Sequence, residues 1–339
     1  MTDIHGHCDP TFQRLADIFA DNFDKGLELG ASVAATVDGE LVVDLWGGYR
    51  RRDRSQPWEA DTVVLTFSST KFPVNLCTYM LIDQGKLDLD AEVADYWPEF
   101  AAKGKDNVTV RHVFTHTAGV PSYDPPIPFS MQYDWHAITA RLADQSLWWE
   151  PGTVFGYHGN TYGVLLGELV RRITGKTVGQ FLKSEIADKI GADFVIGFDL
   201  NEIDRLGQIE PVPEDEVVPR VGPYGEKMDA SLLPPAWTGA ECLTTELPSG
   251  NGIGNARSLA QLAAIIAMNG ELYGHRFFSR ETVDLVLEET RHERDVIVGE
   301  TRRLGLGLGL DSDDFPCVGP GSIHWGGAGG SILLADRDR

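Results

Sequence analysis

Apolar residues recur along the chain in two rhythms, and the change from one to the other marks out the elements. Phe12, Leu15, Ala16, Phe19, Ala20, Phe23 and Leu27 fall at helical spacing, which predicts an amphipathic helix over residues 10–28 that must lie on another surface. Ala31–Val37 and Leu41–Trp46 are β-rich runs joined by Asp38-Gly39, the signature of a tight hairpin. A polar stretch, Tyr49–Ala60, leaves that hairpin. A short apolar run, Thr62–Phe67, then leads into Ser68. Beyond it Val74, Leu76, Cys77, Met80 and Leu81 return to helical spacing, so Ser68 sits at or near a helix N-terminus.

From Lys71 to about Gly207 the signals are mainly helical. Thr109–Gly119 begins like a capped helix and stops at Gly119. A loop rich in proline follows (Pro121, Pro125, Pro126, Pro128), and Trp148–Gly152 marks another turn. Tyr162–Thr174 reads as a helix closed by Gly175. Residues 208–250 hold no sustained period and read as a long excursion or lid. Asn251–Asn255 opens a helix over Ala256–Met268. Gly305–Leu310 alternates Gly and Leu and reads as a strand; Ile323–Leu334 reads as a strand or strand pair broken by Gly326, Gly327, Gly329 and Gly330. The layout predicts an α/β (α+β) protein. Residues 1–60 and 250–339 would form a discontinuous sheet part, and residues 61–249 a mainly helical part, with the site between them.

Composition narrows the function classes. The 339 residues, 42% of them hydrophobic, suffice for a sizeable core, and the mean hydropathy of -0.17 is that of a soluble globular chain. No window is long and apolar enough to span a bilayer, and the N-terminus lacks the pattern of a signal peptide. A net charge of -22 argues against nucleic acid and anionic membrane surfaces as partners. Cys8, Cys77, Cys242 and Cys317 are widely spaced and read as isolated thiols of a reducing compartment, so a cytoplasmic location is expected.

The candidate chemistry centres on Ser68-x-x-Lys71. Among the serines of the chain, only Ser68 has a lysine three residues on. Positions i and i+3 of a helix share a face, so the Lys71 amine can return over the Ser68 hydroxyl, and the helix start leaves free N–H groups for a developing oxyanion. The same four residues also fit an N-cap serine followed by a solvated lysine. His112 and His116 stand four apart but lack a third ligand at a zinc-site spacing and read as structural. The acidic run Glu214-Asp215-Glu216 reads as solvated loop. No G-x-S-x-G occurs, so an α/β-hydrolase elbow is absent.

Three places in the chain together carry a family resemblance: Ser68/Lys71, Phe155-Gly156-Tyr157-His158-Gly159-Asn160, and His324-Trp325-Gly326-Gly327-Ala328-Gly329-Gly330-Ser331. With the hairpin Val33–Trp46, the Thr109–Gly119 stretch, Gly163–Gly167 and Asn251–Leu259, the chain resembles the serine β-lactamase and penicillin-binding-protein superfamily over nearly its whole length. Within it the chain is most similar to the esterases related to class C β-lactamases, the family VIII carboxylesterases. The resemblance implies that superfamily's fold, an antiparallel sheet flanked by helices plus a mostly helical part. It implies Ser68 as the acylated nucleophile, Lys71 as its activating cation and Tyr157 as base or proton shuttle. The backbone N–H groups of Ser68 and Ala328 would form the oxyanion hole, and Trp325, Gly326, Gly327 and His158 would meet the substrate. Without the resemblance, Tyr157 reads equally as a buried aromatic with a bonded hydroxyl.

The departures from the pattern speak to substrate. β-Lactamases and D-Ala peptidases commonly carry Lys or His at the first position of the strand motif, and here Trp325 stands there, with His324 turned to the other face. A tryptophan supplies apolar area without full charge and favours neutral acyl groups. Gly159 occupies a position of the tyrosine motif often held by Asn. Both departures favour a small-molecule ester as the substrate, cleaved through an acyl-enzyme with no metal or organic cofactor implied. A β-lactamase or peptidase-type amide hydrolase, an acyltransferase, and a non-catalytic binding protein of the same fold are the rivals. Phe129, Tyr133, Trp135, Trp148 and Trp149 either line an acyl pocket or simply pack under loops. The family usually continues past the last Gly-rich strand with a strand and a helix, whereas here Arg339 follows Ser331 by eight residues: either the terminus is naturally short or the chain is a truncated product, and in the second case an uncovered sheet face and edge is expected.

Overall fold

A computed structural model describes residues 2–210, 224, 237, 239–317 and 319–338. The Asp38-Gly39 hairpin forms as expected: β2 (Gly30–Val37) and β3 (Glu40–Gly48) pair antiparallel, and both turn residues have positive φ, 51° and 80°, a backbone that Gly adopts freely and Asp tolerates. A further strand, β1 (Ile4–Cys8), adds to β3 in register Ile4↔Gly47 to Cys8↔Val43, giving the order β1-β3-β2. The expected amphipathic helix runs from Gln13 to Asp24 after a 3-10 turn whose first amide, at Thr11, is capped by Asp9. It buries Phe19 and Phe23 against Val43 and Leu45.

Beyond the hairpin, β4 (Val64–Leu65), β5 (Phe194–Ile196) and β6 (Gly252–Gly254) form a small antiparallel sheet in the order β4-β6-β5. β7 (Glu271–Leu272) and β8 (His275–Arg276) make a short ribbon. The last sheet holds β9 (Arg291–Arg294), β10 (Thr301–Leu304), β11 (Gly309–Leu310), β12 (Ser322–Gly326) and β13 (Ile332–Asp336), in the order β13-β12-β11-β10-β9. The helix Ala256–Ala267, opened by Asn255 and Ser258 in a reciprocal cap, packs on both β2 and β13 and so ties sheet elements from the two ends of the chain.

The middle of the chain is helical. The helix Lys71–Asp83 is buried from Lys71 through Leu81, apolar nearly all round rather than along one stripe, as befits a central element. It packs against the helix Thr161–Thr174, which ends at Gly175 in the left-handed region as its sequence predicts. Buried polar bonds fix the pair to the last sheet: Tyr162 Oη donates to Asn75 Oδ1 at 2.6 Å, and Asn75 Nδ2 donates to the Gly307 carbonyl at 3.1 Å.

The Gly305–Leu310 expectation needs correction. Only Gly309–Leu310 is strand; Gly305–Leu308 is the turn joining β10 to β11, with Gly307 at φ 78°. Leu304, Leu306, Leu308 and Leu310 are all buried, so the alternation records burial around a turn rather than a pleated strand. Ile323–Leu334 proves to be the pair β12 and β13. Most of the excursion at 208–250, and the acidic run 214–216 within it, lie outside the described residues; the helix Ala240–Thr244 is the regular element described there. Among the described residues, no helix is long and apolar enough to cross a membrane.

Candidate active site

The site begins where β4 gives way to the buried helix. Thr66 is pinned to β6, its N–H and Oγ1 both donating to the Gly252 carbonyl at 2.8 and 2.9 Å. Phe67 then takes a positive φ of 46°, and residues Phe67–Thr70 form a 3-10 turn that runs into the helix at Lys71. A bulky residue in the left-handed region costs on the order of 1–3 kcal/mol and persists only where its surroundings fix it. Here they do: Gly252 N–H donates to Thr70 Oγ1 at 2.8 Å, and Ser331 Oγ donates to the Thr66 carbonyl at 2.7 Å. Ser68 is thereby half-exposed between two buried neighbours, Phe67 and Ser69.

Lys71 and Tyr157 converge on Ser68. Lys71, fully buried, donates from Nζ to Ser68 Oγ at 3.2 Å and to the Ser249 carbonyl at 2.9 Å. Tyr157 Oη lies 2.8 Å from the same Oγ. Burial lowers the Lys71 pKa despite the opposing pull of Tyr157. Burial alone would raise the Tyr157 phenol, but the Lys71 ammonium, hydrogen bonds to Lys71 and Ser68, and the Arg302 charge outweigh it and bring the phenol below its usual range.

The Gly-rich turn 327–331 is fastened beside Ser68. Ser69 Oγ and Ser331 Oγ are 2.9 Å apart. A Cβ on Gly327 would overlap the Thr66 carbonyl oxygen, and one on Gly329 would lie 2.6 Å from the Phe67 ring, so both glycines mark close approach. Ala328 sits exposed between them, and Gly326 is exposed at the end of β12. Trp325 is buried, its ring 6.2 Å from that of Tyr157 and stacked on His116 at 6.0 Å. His324 points to the opposite face, as strand alternation predicts, and stacks on Phe315 at 3.8 Å.

One expectation is corrected here, and one open alternative falls to packing. His158 does not face a substrate. It is fully buried; Nδ1 bonds the Gly156 carbonyl at 2.7 Å, Nε2 accepts from Val120 N–H at 3.2 Å, and burial drops its pKa to about 4. Both ring nitrogens serve the backbone. Trp135 likewise turns away, donating from Nε1 to the buried Glu168 at 2.8 Å. The other aromatics split into two groups. Trp148 and Trp149 pack with Ile297 and Tyr157, while Phe129 and Tyr133 pack with Trp237 beside Phe67. His112 accepts from Thr109 N–H through Nδ1, and His116 accepts from His158 N–H, both at 3.2 Å, so both are tied to backbone amides.

Chemically, the arrangement supplies a hydroxyl with two proton-transfer partners, a helix start and a close-packed glycine turn. Residues 19–339 match the family model described as Beta-lactamase. The chain belongs to the beta-lactamase family. Among its relatives in that family, a protein of Mycobacterium tuberculosis named Esterase/beta-lactamase LipL is 32% identical over 99% of this chain and 80% of its own length. A solved structure described as a family VIII carboxylesterase superposes with a TM-score of 0.89 at 35% identity, covering 99% of this chain and 90% of that one. A penicillin-binding protein homolog from Caulobacter crescentus superposes with a TM-score of 0.92 at 34% identity, covering 100% and 91%. The suspected classification with the esterase branch of the beta-lactamase family therefore stands.

Other members of the site escape sequence reasoning. Ser249 holds Lys71 through its carbonyl and is itself locked, accepting from Gly163 N–H and donating to the Asn160 carbonyl, both at 2.7 Å. Asp295, fully buried, accepts from Tyr157 N–H at 3.0 Å. Arg302 lies with its guanidinium 5.3 Å from the Tyr157 ring centre. The Pro-Ser-Gly-Asn-Gly run at 248–252 was a visible signal for Ser249; nothing local marks Asp295 or Arg302.

Proposed function

We propose that the protein is a serine hydrolase that cleaves carboxylic esters of small neutral acyl groups through an acyl-enzyme on Ser68. The observation that carries this reading is the convergence on one hydroxyl, with Tyr157 Oη at 2.8 Å and Lys71 Nζ at 3.2 Å from Ser68 Oγ. In the proposed cycle Tyr157 Oη takes the Ser68 proton as Oγ attacks the ester carbonyl. The N–H groups of Ser68 and Ala328 receive the oxyanion. The proton then passes from Tyr157 to the departing alkoxide, the alcohol leaves, and Ser68 carries the acyl group. Water attacks next, giving its proton to Tyr157, and Oγ recovers a proton as the carboxylic acid departs. Lys71 holds positive potential on the phenolate throughout. Trp325, buried beside Tyr157 and His116, puts an apolar ring and no cation at the strand motif, which removes a partner for an anionic acyl group. The names of the relatives, a carboxylesterase and an Esterase/beta-lactamase, support ester hydrolysis and keep β-lactam hydrolysis as the second reading.

Intact-mass spectrometry after brief exposure to p-nitrophenyl butyrate tests the reading, with Ser68→Ala alongside and circular dichroism to confirm folding. The expected result is a butyryl adduct with nitrophenol release, both lost in Ser68→Ala. A folded protein with neither would overturn it in favour of a non-catalytic binding role. Turnover of a chromogenic cephalosporin as fast as the ester would replace ester preference with β-lactam hydrolysis.

A further inference from the structure

The β9–β10 hairpin grips Tyr157 at two points. In the loop between its strands, Asp295 accepts from Ile297 N–H at 2.7 Å, from Val298 N–H at 3.0 Å and from Tyr157 N–H at 3.0 Å, so one carboxylate fixes both the loop and the tyrosine backbone. Val296 N–H donates to the Phe155 carbonyl at 3.0 Å, extending the grip along the chain before Tyr157. From β10 itself, Arg302 lays its guanidinium 5.3 Å from the centre of the Tyr157 ring, while its Nη2 reaches Glu300 Oε2 at 3.0 Å.

Lys71 Nζ lies 5.0 Å from the same ring centre. Two cations therefore share one phenol, and they differ in kind. The Lys71 ammonium is buried, burial lowers its pKa, and it can surrender its proton. A guanidinium does not lose its proton in a protein. Among the described residues, the other groups facing Tyr157 carry little competing charge. The His116 ring, 5.2 Å away, is held neutral by burial and by the nearby His158, Lys71 and Arg302. Burial pushes the Tyr162 phenol up, so it too is neutral. Trp325 carries no charge, and Asp295 is the one facing carboxyl: burial raises its pKa against the pull of the backbone amides it binds and of Arg302.

We propose that Arg302 is a positioning residue for Tyr157: its permanent charge on the ring holds the Tyr157 phenolate as the resting base whatever the protonation state of Lys71, and Glu300 tempers that charge from the solvent side. The inference rests on the reading of Tyr157 as the group that moves the Ser68 proton. A cation on an aromatic face stabilises the negative form of a phenol, and a half-buried one is screened less than an exposed one. Arg302 side-chain exposure is 30% against 62% for Glu300, so the guanidinium acts inward and the carboxylate largely faces water.

The test is the pH profile of kcat/KM for p-nitrophenyl butyrate in Arg302→Met, Arg302→Lys and Glu300→Gln. Loss of the charge in Arg302→Met raises the Tyr157 pKa, so the acidic limb moves to higher pH by about one unit. Glu300→Gln, which frees the guanidinium, moves it the opposite way by roughly half that. Arg302→Lys keeps the limb near its original place. A merely structural role lowers the plateau at every pH and moves no limb. Tyrosinate ultraviolet absorbance across the same pH range, with Tyr157→Phe subtracted, reads the titration without turnover. If no ester is turned over yet the tyrosinate titration shifts as stated, the esterase reading fails and the role of Arg302 stands. An unmoved titration in folded Arg302→Met, or in Glu300→Gln should Arg302→Met not fold, overturns the proposal.

Discussion

Gly327→Ala is the substitution that asks most of the site. A Cβ built there would overlap the Thr66 carbonyl oxygen and lie 2.6 Å from Ser331 Oγ. Neither neighbour can swing aside. Thr66 is bonded to Gly252 through both its N–H and its hydroxyl, and Ser331 Oγ is bonded to Thr66 and Ser69. Restoring ordinary contact distances requires the 327–331 turn to retreat by about 1 Å. In the proposed mechanism that retreat carries the Ala328 N–H away from the oxyanion. Losing one such donor costs about 10²- to 10³-fold in kcat, roughly 3–4 kcal/mol, with little change in KM because the contact strengthens only in the transition state. The overlap should also lower stability by about 1–3 kcal/mol. The adjacent Gly326 provides an internal control: a Cβ there meets nothing nearer than the Ser331 carbonyl oxygen at 3.6 Å. Steady-state kinetics on p-nitrophenyl butyrate, with urea unfolding of both variants, should show Gly327→Ala crippled in kcat and destabilised, and Gly326→Ala as stable as the parent to within about 0.5 kcal/mol. Equal kcat values for the two folded variants would refute the close-approach reasoning.

Three further outcomes follow from the geometry. Glu168, buried to 1%, binds Arg171, Arg172 and the Trp135 indole, so Glu168→Ala should lower the free energy of unfolding by about 3–5 kcal/mol while the folded fraction keeps its kcat; a loss under about 1 kcal/mol would contradict it. Hydrogen bonds from Lys176 and Lys189 hold the Glu185 carboxyl down at about 2 against an ordinary 4.5, so its stabilisation is full above pH 4.5 and fades as pH falls toward 2. The site is largely exposed, which limits the effect to less than ~1 kcal/mol, and Glu185→Gln should flatten the melting temperature across that window; an unaltered slope would count against it. Lys71→Met should reduce kcat/KM by about 10³-fold, and the double variant Ser68→Ala/Lys71→Met should be no worse than Ser68→Ala alone, since the two act as a unit. Additive losses would show that Lys71 acts elsewhere.

Sequence pattern carried the fold wherever local chemistry and tertiary packing agree. Asp38-Gly39 between two β-rich runs specifies its hairpin, and Gly175 specifies a helix end. It failed where partners far along the chain decide. β1, with His5-Gly6-His7 at its centre, has no apolar alternation and becomes a strand because β3 offers it an edge. β9 and β10 are largely charged, Arg-His-Glu-Arg and Thr-Arg-Arg-Leu, and their pairing is set by the loop that Asp295 organises. The site divides in the same way. Ser68 and Lys71 are three residues apart, and their contact was legible from helical geometry alone. Tyr157 needed the family resemblance. Asp295 and Arg302 reach Tyr157 from another sheet, and His158 and Trp135, which looked available by position, are turned inward by Val120 and Glu168.

The clasp between Ser69 and Ser331 joins positions 262 residues apart, and it has a temporal meaning for a chain made from its N-terminus. Ser68 leaves the ribosome well before the glycine turn that packs against Thr66 and the arginine that faces Tyr157. Until then Gly252 alone of the two anchors can hold Phe67 in its strained conformation, and nothing draws the glycine turn onto the serine. Until those segments emerge, the growing polypeptide carries Ser68 without its clasp. In the proposed mechanism, reactivity comes with that assembly rather than with the serine itself.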